Sequence, residues 1–275
     1  MTNVDQPTTR RTVLRIDRLA KTYGHGAGAK QAIADVGFDV HHGELVCVVG
    51  PSGAGKTTLL KCVAGLLPPT DGVVELDGKP ITEPPEQLGL IFQDYSRSLL
   101  PWLTVLGNVT LPLRAKGTSK TKAGEQAMEM LAAVGLGTEH RSYPWQLSGG
   151  MQQRVAIARG LAYQPEVLLM DEPFASVDAQ TRMALEDLVL RLRRQFDLTI
   201  VFVTHDIDEA VYLADRVIVL SPAPTRVAEI VDIDLPEPRD QITTKAEHSF
   251  GELRAHILKH IIGNNHQPQE ELEKA

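Results

Sequence analysis

No stretch of the chain reaches the roughly 18 consecutive apolar residues of a bilayer-spanning helix, so none is expected. Only two cysteines occur in 275 residues, Cys47 and Cys62, each inside an apolar pattern. That argues against a disulfide or a metal pair and suits buried thiols in a reducing compartment. There is no lysine- or arginine-rich run, and 28 basic against 35 acidic residues leave a formal charge of −7. Nucleic acid is therefore not expected as a partner, because binding a phosphate backbone takes a basic face. Met1–Arg11 is polar and lacks an apolar core, so no secretory signal is expected there. A chain of this length buries about three quarters of its unfolded surface and needs no staple to fold.

What is present is a phosphate cradle. Gly50-Pro51-Ser52-Gly53-Ala54-Gly55-Lys56-Thr57 follows the apolar run Leu45–Val49 and precedes the helical pattern Thr58–Ala64. Strand, glycine loop and helix form the context in which Gly-x4-Gly-Lys-Thr binds a nucleoside triphosphate. The glycines let backbone N–H groups turn inward, and the helix N-terminus faces the anion with partial positive charge. Lys56 is placed to reach the β- and γ-phosphates, and the Thr57 hydroxyl to ligate Mg²⁺. A nucleoside triphosphate with Mg²⁺ is the expected ligand, held by Gly50–Thr57 and Thr58.

The surrounding pattern predicts an α/β fold. Val13–Asp17 alternates as an edge strand does, Ala32–Val40 reads as a second strand, and Gly72–Gly78 as a strand closed by an Asp-Gly turn. Leu88–Phe92 is a short buried strand ending at Gln93. Residues 94–163 turn helical, with segments at Leu106–Leu113, Gly124–Val134 and from Ser148 to about Tyr163. Strand and helix then alternate: Val167–Met170, Ala179–Phe196, Thr199–Thr204, Ile207–Ala214, Arg216–Leu220, with a further strand at Val227–Ile233. Such alternation implies a mainly parallel sheet. The expected organisation is one domain over 12–263. Its nucleotide-binding α/β core takes residues 12–93 and 164–235, and begins with an antiparallel β-subdomain. A helical subdomain is inserted at 94–163, and 236–263 form a C-terminal extension with a helix over roughly Lys245–Ile262. The polar ends, 1–11 and 264–275, are expected to be disordered.

Two further motifs carry chemistry. Val167–Met170 ends in Asp171-Glu172, and alternation along a strand sends the two carboxylates in different directions. Asp171 suits Mg²⁺, a hard cation that prefers oxygen. Glu172 suits a general base polarising the attacking water. The plainer alternative is a helix cap or loop, and the neighbouring phosphate loop favours catalysis. Leu147-Ser148-Gly149-Gly150-Met151-Gln152-Gln153-Arg154 is either a second anion site at a helix N-terminus or a serine N-cap with a flexible turn.

Gly50–Thr57, Gln93, Leu147–Arg154, Asp171-Glu172 and His205, in that order, resemble the nucleotide-binding subunits of ABC transporters, over about Leu14 to Leu220. The resemblance implies a P-loop NTPase core of RecA-like type. It also implies a head-to-tail homodimer, each ATP held between one subunit's phosphate loop and the other's Ser148, Gly149, Gly150 and Gln152. By the same resemblance Gln93 contacts Mg²⁺ and the attacking water and senses a membrane partner, and His205 contacts the γ-phosphate beside Glu172. Asp178 lies in the loop crossing the dimer interface, where Val177 departs mildly from the usual leucine. Tyr23 falls where the family stacks an aromatic on adenine; a half-buried surface ring is the alternative.

Leu99-Leu100-Pro101-Trp102, shortly after Gln93, is similar to the ATPases of nitrate/sulfonate/taurine-type importers. So is Asp234–Asp240 followed by a short helix. This implies a separate integral-membrane permease contacted near Gln93–Val105, an extracytoplasmic solute-binding protein, and a peripheral position on the cytoplasmic side of the membrane. Exposed Leu99, Leu100 and Trp102 are expected to form an apolar socket for the permease; the alternative packs Trp102 against Leu106 and Leu113. Rival readings fare worse. Structural-maintenance ATPases need a long coiled coil between the phosphate loop and Leu147, translation-type relatives carry two cassettes, and a P-loop kinase or GTPase leaves Leu147–Arg154 and His205 unexplained. An exporter ATPase is the nearer alternative.

Overall fold

The strands around the phosphate loop are apolar along nearly all of their length because they are covered on both faces. In β3 (Leu45–Val49), Leu45, Cys47 and Val49 enter one hydrophobic core while Val46 and Val48 enter another. β7 (Val167–Asp171) and β8 (Thr199–Val203) divide in the same way, Leu168, Met170, Ile200 and Phe202 against Val167, Leu169, Val201 and Val203. A strand buried on both sides has no polar face to show. The computed structural model describes residues 11–94 and 98–263. Expectations for 1–10, 264–275 and Tyr95–Arg97 lie outside the described residues.

Among the described residues, ten strands form one sheet. β6 (Leu88–Ile91), β7, β8, β3 and β9 (Arg216–Leu220) lie side by side and parallel. β10 (Thr225–Asp232) is antiparallel to β9 and parallel to β2 (Lys30–His41), which joins this set to an antiparallel one. The latter continues through β1 (Thr12–Tyr23), β4 (Asp71–Leu76) and β5 (Lys79–Pro80). The antiparallel portion is thus continuous with the core sheet. β1 is not an edge: it lies between β2 and β4, and β5 and β6 close the sheet. Its alternation reports one solvated face, which an internal antiparallel strand also has, and says nothing about neighbours.

α1 (Lys56–Val63) follows the phosphate loop and buries Leu59, Leu60, Cys62 and Val63. The inserted helices α2 (Val105–Ala115), α3 (Lys120–Ala133) and α4 (Gly149–Ala162) are each opened by a hydroxyl N-cap: Thr104, Ser119 and Ser148 accept from Gly107, Lys122 and Met151 N–H. α5 (Ala179–Phe196) and α6 (Ile207–Leu213) cover the same sheet face as the insertion. The expected C-terminal helix is broken: a four-residue turn, α7 (Thr243–Ala246), precedes α8 (His248–Gly263), because Glu247 is extended between them. Among the described residues, no helix is long and apolar enough to cross a membrane.

The expected socket is only partly present. Leu99 is 2% exposed and belongs to the core, Leu100 is half-buried, and Trp102 is 69% exposed. Buried Asn108 is the cause. Its Oδ1 accepts from Leu100 N–H at 2.8 Å, and its amide donates to Leu100, Leu103 and Thr104 carbonyls. That clasp closes the turn with Leu99 inward and Trp102 outward. Trp102 is therefore no part of the core that holds Leu106 and Leu113.

Candidate nucleotide-binding site

The loop between β3 and α1 is shaped by two glycines in particular. Gly55 takes φ +75°, a left-handed backbone that side chains disfavour, and starts α1. Gly50 packs so closely on β9 that a Cβ there would lie 3.0 Å from Leu220 Cβ and 3.2 Å from its carbonyl. Thr225 of β10 donates its hydroxyl to the Ala54 carbonyl and fixes the loop from beneath. Lys56, buried, folds its Nζ back onto the Gly50 and Pro51 carbonyls at 2.9 and 3.1 Å. Burial lowers the pKa of its ammonium, against the opposing charges of Glu172 and Asp171. Above the loop lies a cavity of about 640 Å³, bordered by Tyr23, Ser52, Lys56, Thr58, Glu172 and His205. That volume is in the range of small-molecule sites.

The β7 carboxylates diverge as their alternation predicts. Asp171 is 6% exposed and its Oδ1 is buried without a hydrogen-bond partner. Burial raises its carboxyl above the ordinary range, against a hydrogen bond from the Thr57 hydroxyl. Glu172 turns outward at φ +42°. A left-handed glutamate costs on the order of 1–3 kcal/mol, the kind of strain that clusters at functional sites. Its Oε2 lies 2.9 Å from His205 Nδ1 and 3.4 Å from the Gln93 amide Nε2. Three side chains from the ends of β6, β7 and β8 thus meet at Glu172, which with His205 lines the cavity. Tyr23 is 43% exposed, its hydroxyl 3.2 Å from Thr58 Oγ1.

Ser148, Gly149, Gly150, Gln152 and Asp178 are elsewhere; none borders the cavity. Gln152 turns back to donate to the Pro144 and Leu147 carbonyls. Asp178 caps α5, its Oδ1 accepting from Thr181 N–H at 2.9 Å. The Thr181 hydroxyl, donating to its Oδ2, holds that carboxyl below the ordinary range. A Cβ on Gly150 would lie 2.4 Å from Thr181 Cγ2. The Ser148 helix start and the Asp178 loop are therefore neighbours, forming a second cluster apart from the first.

The loop holding His205 rests on residues that sequence reasoning did not single out. Buried Thr204 donates to Glu209 Oε2 at 2.6 Å, and Asp206 caps α6 and pairs with Arg182 at 3.0 Å. Asp206-x-x-Glu209 is a helix-start spacing, and it was the available signal. Burial pushes the Glu209 carboxyl up to about 7, against the Thr204 hydrogen bond. The folded state then favours the protonated form. Its contribution to stability is complete below the ordinary value of 4.5 and is lost as pH rises through about 7. The melting temperature of the wild-type chain should accordingly fall relative to a Glu209→Gln variant across that window. A pH-independent difference between the two would overturn this assignment.

Residues 33–175 match the ABC transporter family model. The bicarbonate transport ATP-binding protein CmpD of Synechocystis sp. is 42% identical over 257 residues, 92% of this chain and 90% of that protein. The aliphatic sulfonates import ATP-binding protein SsuB of Bacillus cereus is 40% identical over 244 residues, 89% of this chain and 94% of the relative. Among solved structures, a dimeric ATP-binding cassette in a post-hydrolysis state with ADP and Pi superposes with a TM-score of 0.70 at 33% identity, covering 80% of this chain and 98% of that one. Phosphate loop, strand-end carboxylates and overall match agree, and the chain belongs to the ATP-binding proteins of the ABC transporter family.

Proposed function

We propose that the chain is the ATP-hydrolysing subunit of an importer for a small anion, working as a head-to-tail dimer beneath a separate permease. The observation that carries this reading is the division of the site. Glu172 and His205 line the phosphate cavity and Gln93 contacts Glu172, whereas Ser148–Gly150 and Asp178 stand apart from it. A second copy facing the first supplies the missing helix N-terminus to each nucleotide, and two composite sites follow.

In this mechanism the backbone N–H groups of Gly50–Thr57 hold the phosphates and Lys56 exchanges its carbonyl contacts for them. Glu172 orients and deprotonates the attacking water, positioned between Gln93 and His205, and His205 bonds the γ-phosphate. Thr57 and Asp171 fit Mg²⁺: a hydroxyl and a buried, unpartnered carboxylate oxygen make a hard-donor set, with Gln93 at its margin. Held by these residues, such an ion would supply neutralisation of charge on the phosphate oxygens. Tyr23 and Thr58 border the cavity where the nucleoside is to lie. Two ATP molecules close the dimer and hydrolysis reopens it.

Trp102, with exposed Phe92 and Leu111, offers the permease an apolar contact near Gln93. The bicarbonate and sulfonate relatives support a small oxyanion such as bicarbonate, nitrate, an alkanesulfonate or taurine as the solute, delivered by an extracytoplasmic binding protein. The chain is then peripheral on the cytoplasmic face. Affinity capture from native membranes, with mass spectrometry of what co-purifies, tests this. A permease and a solute-binding protein are expected, and recovery of neither would overturn the transport reading while leaving the ATPase intact.

A further inference from the structure

On the face of α8, His256 and His260 stand one turn apart and both meet Glu229 of β10. His256 Nε2 is 2.9 Å from Glu229 Oε1, and His260 Nε2 is 2.9 Å from Oε2. One ligand atom from each of the three residues lies within 4.8 Å of the others. We propose that Glu229, His256 and His260 bind a divalent transition cation of the zinc type, which clips the C-terminal helix to the sheet.

Three observations carry the assignment. Residues four apart share one helix face, so both imidazoles reach the same point without backbone movement. Zinc holds nitrogen and carboxylate oxygen at about 2.0–2.2 Å in tetrahedral geometry, which sets ligand atoms about 3.3 Å apart. The observed separations, from 2.9 Å up to 4.8 Å, bracket that value, so side-chain rotation alone completes the set. Finally, two ion pairs with Glu229 leave one of its oxygens without a hydrogen bond. His256 hydrogen-bonds to Oε1, but Oε2 is shut off from solvent and accepts no hydrogen bond although His260 Nε2 is 2.9 Å away. A cation between the three groups would use that oxygen. The rings are 46% and 36% exposed, which leaves an entry path and room for water as a fourth ligand. Two imidazoles select against Mg²⁺, so this ion differs from the one at the phosphates. None of the three residues borders the phosphate cavity.

The clip would act on a helix that already touches the catalytic side: Arg254 of α8 pairs with Asp208 of α6 at 2.7 Å, just after His205. The test titrates Zn²⁺ alone into the chelator-stripped full chain by calorimetry, without nucleotide. The parent carries His205→Ala so that the Glu172–His205 pair does not contribute. One Zn²⁺ per chain is expected, with affinity falling at least about 100-fold in a His256→Ala/His260→Ala variant, since outer-shell changes alone cost 10–100-fold. Glu229→Gln keeps the shape and should lose binding while retaining its circular dichroism spectrum. Co²⁺ should give tetrahedral visible absorption in the parent only. Equal Zn²⁺ binding by parent and double variant, or none by the parent, would overturn the site.

Discussion

Glu172→Gln should lower ATP turnover by about 10²- to 10⁴-fold and leave ATP binding intact, the loss expected when a general base is removed. The replacement is nearly isosteric and its amide still reaches His205 and Gln93, whose contacts with Glu172 are at 2.9 and 3.4 Å. Lys56, Thr57 and Asp171 are untouched, so phosphates and Mg²⁺ bind as before. Unhydrolysed ATP then accumulates in the closed form. Moving a two-state equilibrium from 1:99 to 99:1 takes about 5.5 kcal/mol of differential binding, and in the proposed dimer two shared nucleotides would be the source of it. Size-exclusion chromatography with saturating ATP-Mg should show the variant as a stable dimer. A monomer under those conditions would count heavily against shared sites.

The second large effect is complementation between two inactive variants. Lys56→Ala removes a phosphate-binding cation, and losing one such electrostatic donor costs about 10²- to 10³-fold. Ser148→Arg replaces the hydroxyl that caps α4, at about 1 kcal/mol for the cap alone, and places a long cation where the partner's nucleotide is to dock. Each homodimer carries the same defect in both sites and should be inactive. In a mixed dimer the two defects fall together in one site, leaving the other with an intact phosphate loop and an intact Ser148-Gly149-Gly150. Co-purified mixed dimers should regain part of the wild-type turnover. Persistent inactivity of verified mixed dimers would mean that each chain completes its own site.

The phosphate loop, the Asp171-Glu172 strand end and the Ser148 helix start were legible in the sequence because each is a local device: glycines, hydroxyls and carboxylates at fixed spacing along one segment. Strand positions around them followed from continuous apolar runs, since burial on both faces leaves no other reading of Leu45–Val49 or Val167–Met170. Long-range features were not legible. The place of β1 depends on its pairing with β4, from which the phosphate loop and α1 separate it, and periodicity records faces rather than neighbours. Leu99 was expected at the surface beside Trp102; the buried amide of Asn108, eight positions beyond Leu100, decides which of the two faces out. The meeting of Glu229 with His256 and His260 arises only when separate elements pack.

The link between Gln93 and Glu172 has a mechanical meaning. It is a single 3.4 Å contact at the end of β6, and the chain beyond it soon reaches Leu99, locked in the core of the inserted helices. Tilting those helices by a few degrees would draw Gln93 away while the Glu172–His205 contact stays seated on the sheet. In the proposed importer this arrangement would act as a clutch: the engine keeps its parts aligned, and the position of the neighbouring block, with Trp102 as its pedal, would decide whether torque is passed on.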